Sequence, residues 1–292
     1  MSVPSSTIET VIIPKLRDLG DFTVRRALPA VERRRVGPFV FFDQFGPTIL
    51  QAGHALDVRP HPHIGLSTLT WLFAGEIQHK DSLGNDMTIR PGEVNWMTAG
   101  RGIVHSERSP ASQRHGNAPL GGTQVWLALP VEKEEIAPAF YHYGAAQIPQ
   151  LTDKGLTLTL IAGSAFGKTS PVHSESDTFY ADLLLQQGHK LAVPATIEER
   201  AIYIIEGSMN IGGNDFAAGT MVVLKPGLEV TLQASSNAHC VMLGGDALPG
   251  ERHLYWNFVS SRKERIEQAK EDWRNGRFAK VAGDDEFIPL PD

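Results

Sequence analysis

The residues most able to do chemistry in this 292-residue chain are two short polar pairs, His61 with His63 and His105 with Glu107. Successive side chains of a β-strand point to opposite faces, so residues two apart share a face. If both segments are extended, as Ile103 and Val104 favour for the second, neighbouring strands would present three imidazole nitrogens and one carboxylate oxygen to a common interior. That donor set contains no sulfur. It suits one divalent metal ion, with Fe(II), Mn(II), Co(II), Ni(II), Cu(II) and Zn(II) all compatible, and the affinity order would let copper or zinc displace iron in vitro. With 11 histidines in the chain, chance alone gives ~0.4 His-x-His pairs. The pair therefore gains its weight from its surroundings.

Other candidates are weaker. His54, His79, His115, His142, His173, His189, His239 and His253 show no paired spacing of this kind and read as structural or solvated. Gly100-Arg101-Gly102 lacks the glycine fingerprint of a phosphate loop, and its glycines read as a turn that aims His105 inward. Trp71 and Trp96 could wall a planar substrate, as could Phe42 and Asp43, but aromatic residues on strands more often belong to the core. Cys240 is the only cysteine, which excludes an intrachain disulfide and a thiolate zinc cluster. Its neighbours Val241, Met242 and Leu243 place it on a buried strand.

The elements that would position these groups are short strands. From Phe39 to Phe258, β-branched and aromatic runs such as 69–73, 125–129, 156–161 and 201–205 are broken repeatedly by Gly, Pro, Asn and Asp, the pattern of an all-β barrel or sandwich. Aligning Gly75 with Gly207 and reading backward without gaps shows an internal repeat. Pro62 falls on Pro194, and Trp71-Leu-Phe-Ala-Gly falls on Tyr203-Ile-Ile-Glu-Gly. Two similar barrels are thus expected in tandem, residues 1–140 and 141–292. In the second copy Val193 and Ala195 replace His61 and His63, which confines the metal chemistry to the first. Near the C-terminus, Ser261 and Glu264 form a candidate capping box. Ile266, Ala269, Lys270 and Trp273 then recur at helical spacing until Asn275 and Gly276. The final Phe287-Ile-Pro-Leu-Pro reads as an apolar tail packed on the body, bracing one domain against the other.

Composition narrows the partners. A formal net charge of -6 disfavours direct nucleic-acid binding, which needs clustered Lys and Arg facing phosphates. No stretch calls for a membrane. Met1 to Asp21 lacks the basic and apolar segments of a secretory signal, so a cytoplasmic protein is expected.

The first-motif pattern of cupins, jelly-roll β-barrels, runs from a Gly through His-x-His and a Glu to a second Gly. His61, His63 and Gly75 are in register with it, whereas Ala55 stands in the opening Gly position and Thr68 in the Glu position. Glu107 beside His105 looks like the replacement carboxylate. The longer run from His61-Pro-His-Ile-Gly through Asn95-Trp-Met-Thr-Ala-Gly-Arg-Gly-Ile-Val-His-Ser-Glu resembles the signature of the pirin family, and Gly37-Pro-Phe-Val-Phe-Phe-Asp-Gln-Phe-Gly-Pro and residues 253–270 are similar to it as well. The resemblance implies a bicupin that binds one metal ion, iron as Fe(II), through His61, His63, His105 and Glu107, with a second barrel lacking metal. It also implies an activity: dioxygenation of a flavonol such as quercetin by dioxygen, with Glu107 taking the 3-hydroxyl proton. The alternative it offers is a non-enzymatic, redox-sensitive iron protein that binds a protein partner. A charged patch containing Arg59, Arg101, Arg108 and Arg114 would favour that alternative, and scattered surface ion pairs would disfavour it.

Overall fold

The computed structural model describes residues 7–20 and 22–291. The segment read for a leader, Met1 to Asp21, therefore lies partly outside the described residues. Among those described, regular structure is β apart from one α-helix and three short 3-10 turns. The four expected β-rich runs fall on strands, Leu66–Ala74, Ala118–Ala128, Leu156–Ala162 and Glu199–Glu206. Among the described residues, no helix is long and apolar enough to cross a membrane.

The repeat is visible in the strand order of two β-barrels. In one, Asp57–His63, Ile103–Arg108, Ile77–Asp81 and Asp86–Ile89 form a four-stranded sheet in that spatial order; in the other, Lys190–Val193, Val230–Ala234, Ser208–Ile211 and Asn214–Ala217 repeat it. The longer sheets match in the same way. The order Val94–Thr98, Leu66–Ala74, Ala118–Ala128, Phe39–Leu50 corresponds to Thr220–Leu224, Glu199–Glu206, Ala238–Gly245, Thr178–Leu185.

The division into units is not sequential. One unit contains the described residues up to Leu16, Arg25–Asp43 and Ala146–Leu248; the other contains Arg17–Val24, Gln44–Ala145 and the described residues from Pro249 onward. Both chain ends thus depart from the expected 1–140 and 141–292 split. Ile8–Ile12 is drawn away because it adds to the sheet edge at Thr220–Leu224, where antiparallel pairing satisfies its backbone. The C-terminal segment is drawn the other way. Phe258 bridges Ile64, and Ile64, Phe258, Ile266 and Ala269 share one apolar core.

The helix spans Lys263–Arg274 and stops at Asn275, as its spacing predicts, with Ile266 and Ala269 on the buried face. The capping box does not form. Arg262 is the cap residue, because Ser260 and Ser261 are taken by the buried Glu134 carboxylate, which accepts hydrogen bonds from both hydroxyls at 3.0 Å. The C-terminal tail packs within its own unit. Ile288 donates its N–H to the Pro60 carbonyl at 2.9 Å, and Trp273 Nε1 donates to the Ile288 carbonyl at 3.0 Å.

Cys240 is fully buried in Ala238–Gly245, and burial pushes its thiol far above the ordinary range. Trp71 and Trp96 are core residues at 4% and 1% exposure. Phe42 packs on Tyr203, and Asp43 takes a bidentate pair from Arg26, all in the unit without the histidine pairs.

Candidate metal centre

Three strands place the polar interior of the barrel in residues 44–145. In the antiparallel pairing of Ile103–Arg108 with Asp57–His63, His105 lies opposite His61 and Ile103 opposite His63. On its other side the same strand sets His105 opposite Asp81 and Glu107 opposite His79. The turn before it requires glycine: Gly100 has φ +50°, and a Cβ there would lie 2.1 Å from the Ile136 carbonyl oxygen. Strand periodicity then sends His61, His63 and His105 inward together, as expected from spacing.

The three histidines converge. One ring nitrogen from each lies within 4.8 Å of the other two, and all three residues are buried. The Nε2 atoms of His63 and His105 are 3.1 Å apart. Metal–imidazole bonds of ~2.1 Å put adjacent donors of one ion ~3.0–3.4 Å apart, so that spacing fits two ligands of a common centre. The tautomers fit as well. His61 Nδ1 donates to the Arg59 carbonyl at 2.8 Å, which leaves its Nε2 lone pair free.

Electrostatics keep these rings neutral. Burial lowers the His61 pKa, opposed by its bond to Arg59 and the nearby Glu107 charge. Burial, then the neighbouring rings, lowers His63 and His105 well below the ordinary histidine value. Neutral imidazoles are the form that ligates metal. The three residues therefore could hold a divalent ion.

Glu107 does not join that 4.8 Å set. The neighbouring strand carries one extra residue between His61 and Val58, so Glu107 pairs with Val58. Its carboxylate accepts both hydrogen bonds of a bidentate contact from Gln124 Nε2 at 2.8 Å, and a longer one from the Thr70 hydroxyl at 3.4 Å. Trp126 sets its ring edge-on to His63, with centroids 5.1 Å apart.

Spacing arguments missed two participants. His79 Nδ1 lies 3.3 Å from His105 Nδ1, and Gln124 holds Glu107. His79 carried a usable signal, since His79 and Asp81 are two apart on one strand as the histidine pairs are. Gln124 carried none, because its partner is set by which sheets face each other.

The second barrel supplies an internal comparison. The Gly75-to-Gly207 offset places His61, Thr70 and His79 on Val193, Ile202 and Ile211. Cross-strand pairing then matches His105 with Val230, Glu107 with Leu232 and Gln124 with Met242. All six counterparts belong to one aliphatic core. Of the four arginines expected to form a patch, Arg108 pairs with Asp284 and Glu286, and Arg114 pairs with Asp57. Two of the four are thus ordinary ion pairs.

Residues 21–127 match the Pirin family model, and residues 180–279 match the model of the Pirin C-terminal cupin domain. A pirin-like protein of Caulobacter vibrioides is 48% identical over 98% of this chain and 100% of its own length. A Pseudomonas aeruginosa protein provisionally named quercetin 2,3-dioxygenase is 39% identical over 90% of this chain and 82% of its own. Among solved structures, a quercetin 2,3-dioxygenase from Acinetobacter baumannii superposes with a TM-score of 0.90 at 33% identity, covering 97% of this chain and 95% of that one.

Proposed function

The chain belongs to the pirin family, as a bicupin of two jelly-roll barrels, and from that premise we propose that it is a metal-dependent dioxygenase of the quercetin 2,3-dioxygenase type, acting on flavonols with Fe(II). The observation that carries this reading is the convergence of His61, His63 and His105 in only one of two barrels that otherwise share their strand order. The names of the Pseudomonas and Acinetobacter relatives supply the substrate class.

In this reading His61, His63 and His105 hold the ion, with Glu107 as the fourth ligand. The bound ion supplies Lewis acidity toward a chelating flavonol and a site for dioxygen. The chain's own residues do the rest. Glu107 takes the proton from the flavonol 3-hydroxyl as general base, and the two-pronged contact from Gln124 fixes the direction of its carboxylate. The enclosure by Trp126 and by the strands excludes bulk water from the imidazoles. Protein loaded anaerobically with Fe(II) and then given quercetin and air should consume dioxygen and release carbon monoxide. Stoichiometric iron with neither dioxygen uptake nor carbon monoxide would remove the enzymatic reading.

A further inference from the structure

Beyond the ligands themselves, a buried chain of hydrogen bonds leads away from the histidine cluster. Asp81 Oδ2 lies 3.1 Å from His79 Nε2, and His79 Nδ1 lies 3.3 Å from His105 Nδ1. The side chains are sequestered, with His105 at 0%, Asp81 at 1% and His79 at 3% exposure. His79 is held flat by Phe140, whose ring stacks on it with centroids 4.4 Å apart and planes 17° apart.

The direction of every proton in that chain follows from its far end. Asp81 meets only donors: its Oδ1 accepts from the N–H groups of Leu83 and Asn85 at 2.9 and 3.1 Å, and Asn85 Nδ2 donates to both oxygens. Burial opposes its charge, but the bonds from His79 and Asn85 outweigh that and hold its pKa below the ordinary value. An ionised carboxylate accepts only, so His79 carries its proton on Nε2. The other ring nitrogen of His79, Nδ1, faces His105 Nδ1 at 3.3 Å, and in the relay His105 donates across that contact. That leaves the Nε2 lone pair of His105 aimed at the point it shares with His63 Nε2. We propose that Asp81 and His79 are positioning residues of the metal centre, a carboxylate–imidazole relay that fixes the tautomer of His105 and raises its basicity as a ligand. This rests on the metal reading above.

The second barrel shows that the fold does not require them. The same offset puts Ile211 in the place of His79 and Gly213 in the place of Asp81, and the barrel keeps the same strand order without either. A polar pair buried for packing alone would have no reason to be confined to the barrel with the three histidines. Carboxylate and imidazole partners of metal-bound histidines are the general means of orienting such ligands.

The test uses the full chain, Co(II) and Fe(II). Wild-type protein should bind Co(II) stoichiometrically, and His61→Ala should abolish that; failure of either overturns the metal reading itself. Given binding, His79→Ile and Asp81→Asn should each weaken Co(II) affinity by ~10–100-fold in competition with a chromophoric chelator. Both should alter the Co(II) d–d spectrum and, in iron-loaded protein, move the Fe(III)/Fe(II) potential positive, because a less basic His105 stabilises Fe(III) less. Asp182→Asn, which removes the charge from the 2.6 Å contact to His239 in the other barrel, should change none of these. Long-range proton–nitrogen spectra of zinc-loaded wild-type protein avoid any folding defect in the variants, and should show His79 protonated at Nε2 and His105 at Nδ1. Unchanged affinity, spectrum and potential in folded variants, or the opposite tautomers in the wild type, would overturn the relay.

Discussion

Mild acid should weaken the histidine-bearing unit of the metal-free protein, and the size of the effect follows from burial. The folded pKa values of His63 and His105 lie well below the ordinary histidine value of about 6.5 because their protonated forms would be desolvated. In the unfolded chain both titrate near that value. Between the two, the unfolded state binds more protons, so stability is full above about pH 6.5 and falls as pH drops toward the folded pKa values. From pH 7.5 to 5.5 each residue should remove up to about 1.4 kcal/mol, or about 3 kcal/mol for the pair. His61, lowered less strongly, adds a smaller share. Asp57 and Asp81 do not contribute in this window, because their pKa values are lowered from 3.8 and their stabilisation is lost only in stronger acid. Urea unfolding of chelator-treated protein at the two pH values measures the loss, with tryptophan fluorescence as the local probe. All five tryptophans, Trp71, Trp96, Trp126, Trp256 and Trp273, lie in the unit with the histidines. His105→Val, which installs the side chain found at Val230, should lose about 1.4 kcal/mol less on acidification than the wild type. An equal loss in variant and wild type would refute the assignment of acid sensitivity to the buried neutral imidazoles.

Three further outcomes follow from single contacts. Glu107→Gln removes the base but keeps an acceptor for Gln124, so flavonol turnover should fall by ~100-fold or more while metal content, read by elemental analysis, changes far less; parallel loss of both would make Glu107 chiefly a ligand. Glu134→Ala should cost ~3–5 kcal/mol in the same urea titration, because it removes the carboxylate that faces the Arg252 guanidinium at 3.1 Å, with both side chains almost fully buried. Gly100→Ala should destabilise by more than ~1 kcal/mol, because a side chain at φ +50° would be driven into the Ile136 carbonyl; its thermal midpoint checks this.

The parts of this molecule that were legible from sequence are those governed by period-two alternation and by repetition. His61, His63 and His105 share an interior because strand geometry leaves them no other face, and the apolar Val193 restricts the cluster to one barrel. Glu107 shows the limit of that argument: alternation assigns its face, but the groups its carboxylate meets there, Gln124 and Thr70, are brought by strands distant in sequence. Chain ends were illegible for a similar reason. Ile8–Ile12 is drawn to a sheet edge, and Phe258 to a single bridge with Ile64, far away in sequence, which no linear boundary can express.

The comparison between barrels bears on what the polar interior costs. Thr70, His79, Glu107 and Gln124 occupy places where Ile202, Ile211, Leu232 and Met242 serve an equivalent strand arrangement. Each polar group gives up hydration on burial and forfeits the apolar contacts its counterpart makes, so hydrogen bonds alone offset the loss only in part. A bound cation would supply the remainder by giving the facing Nε2 lone pairs of His63 and His105 a common partner. Substituting these aliphatic counterparts together with Val193 and Val230, the counterparts of His61 and His105, into the first barrel should therefore leave the metal-free fold as stable or more stable and abolish metal binding. Loss of the fold under those substitutions would place the polar cluster in the architecture instead of the chemistry.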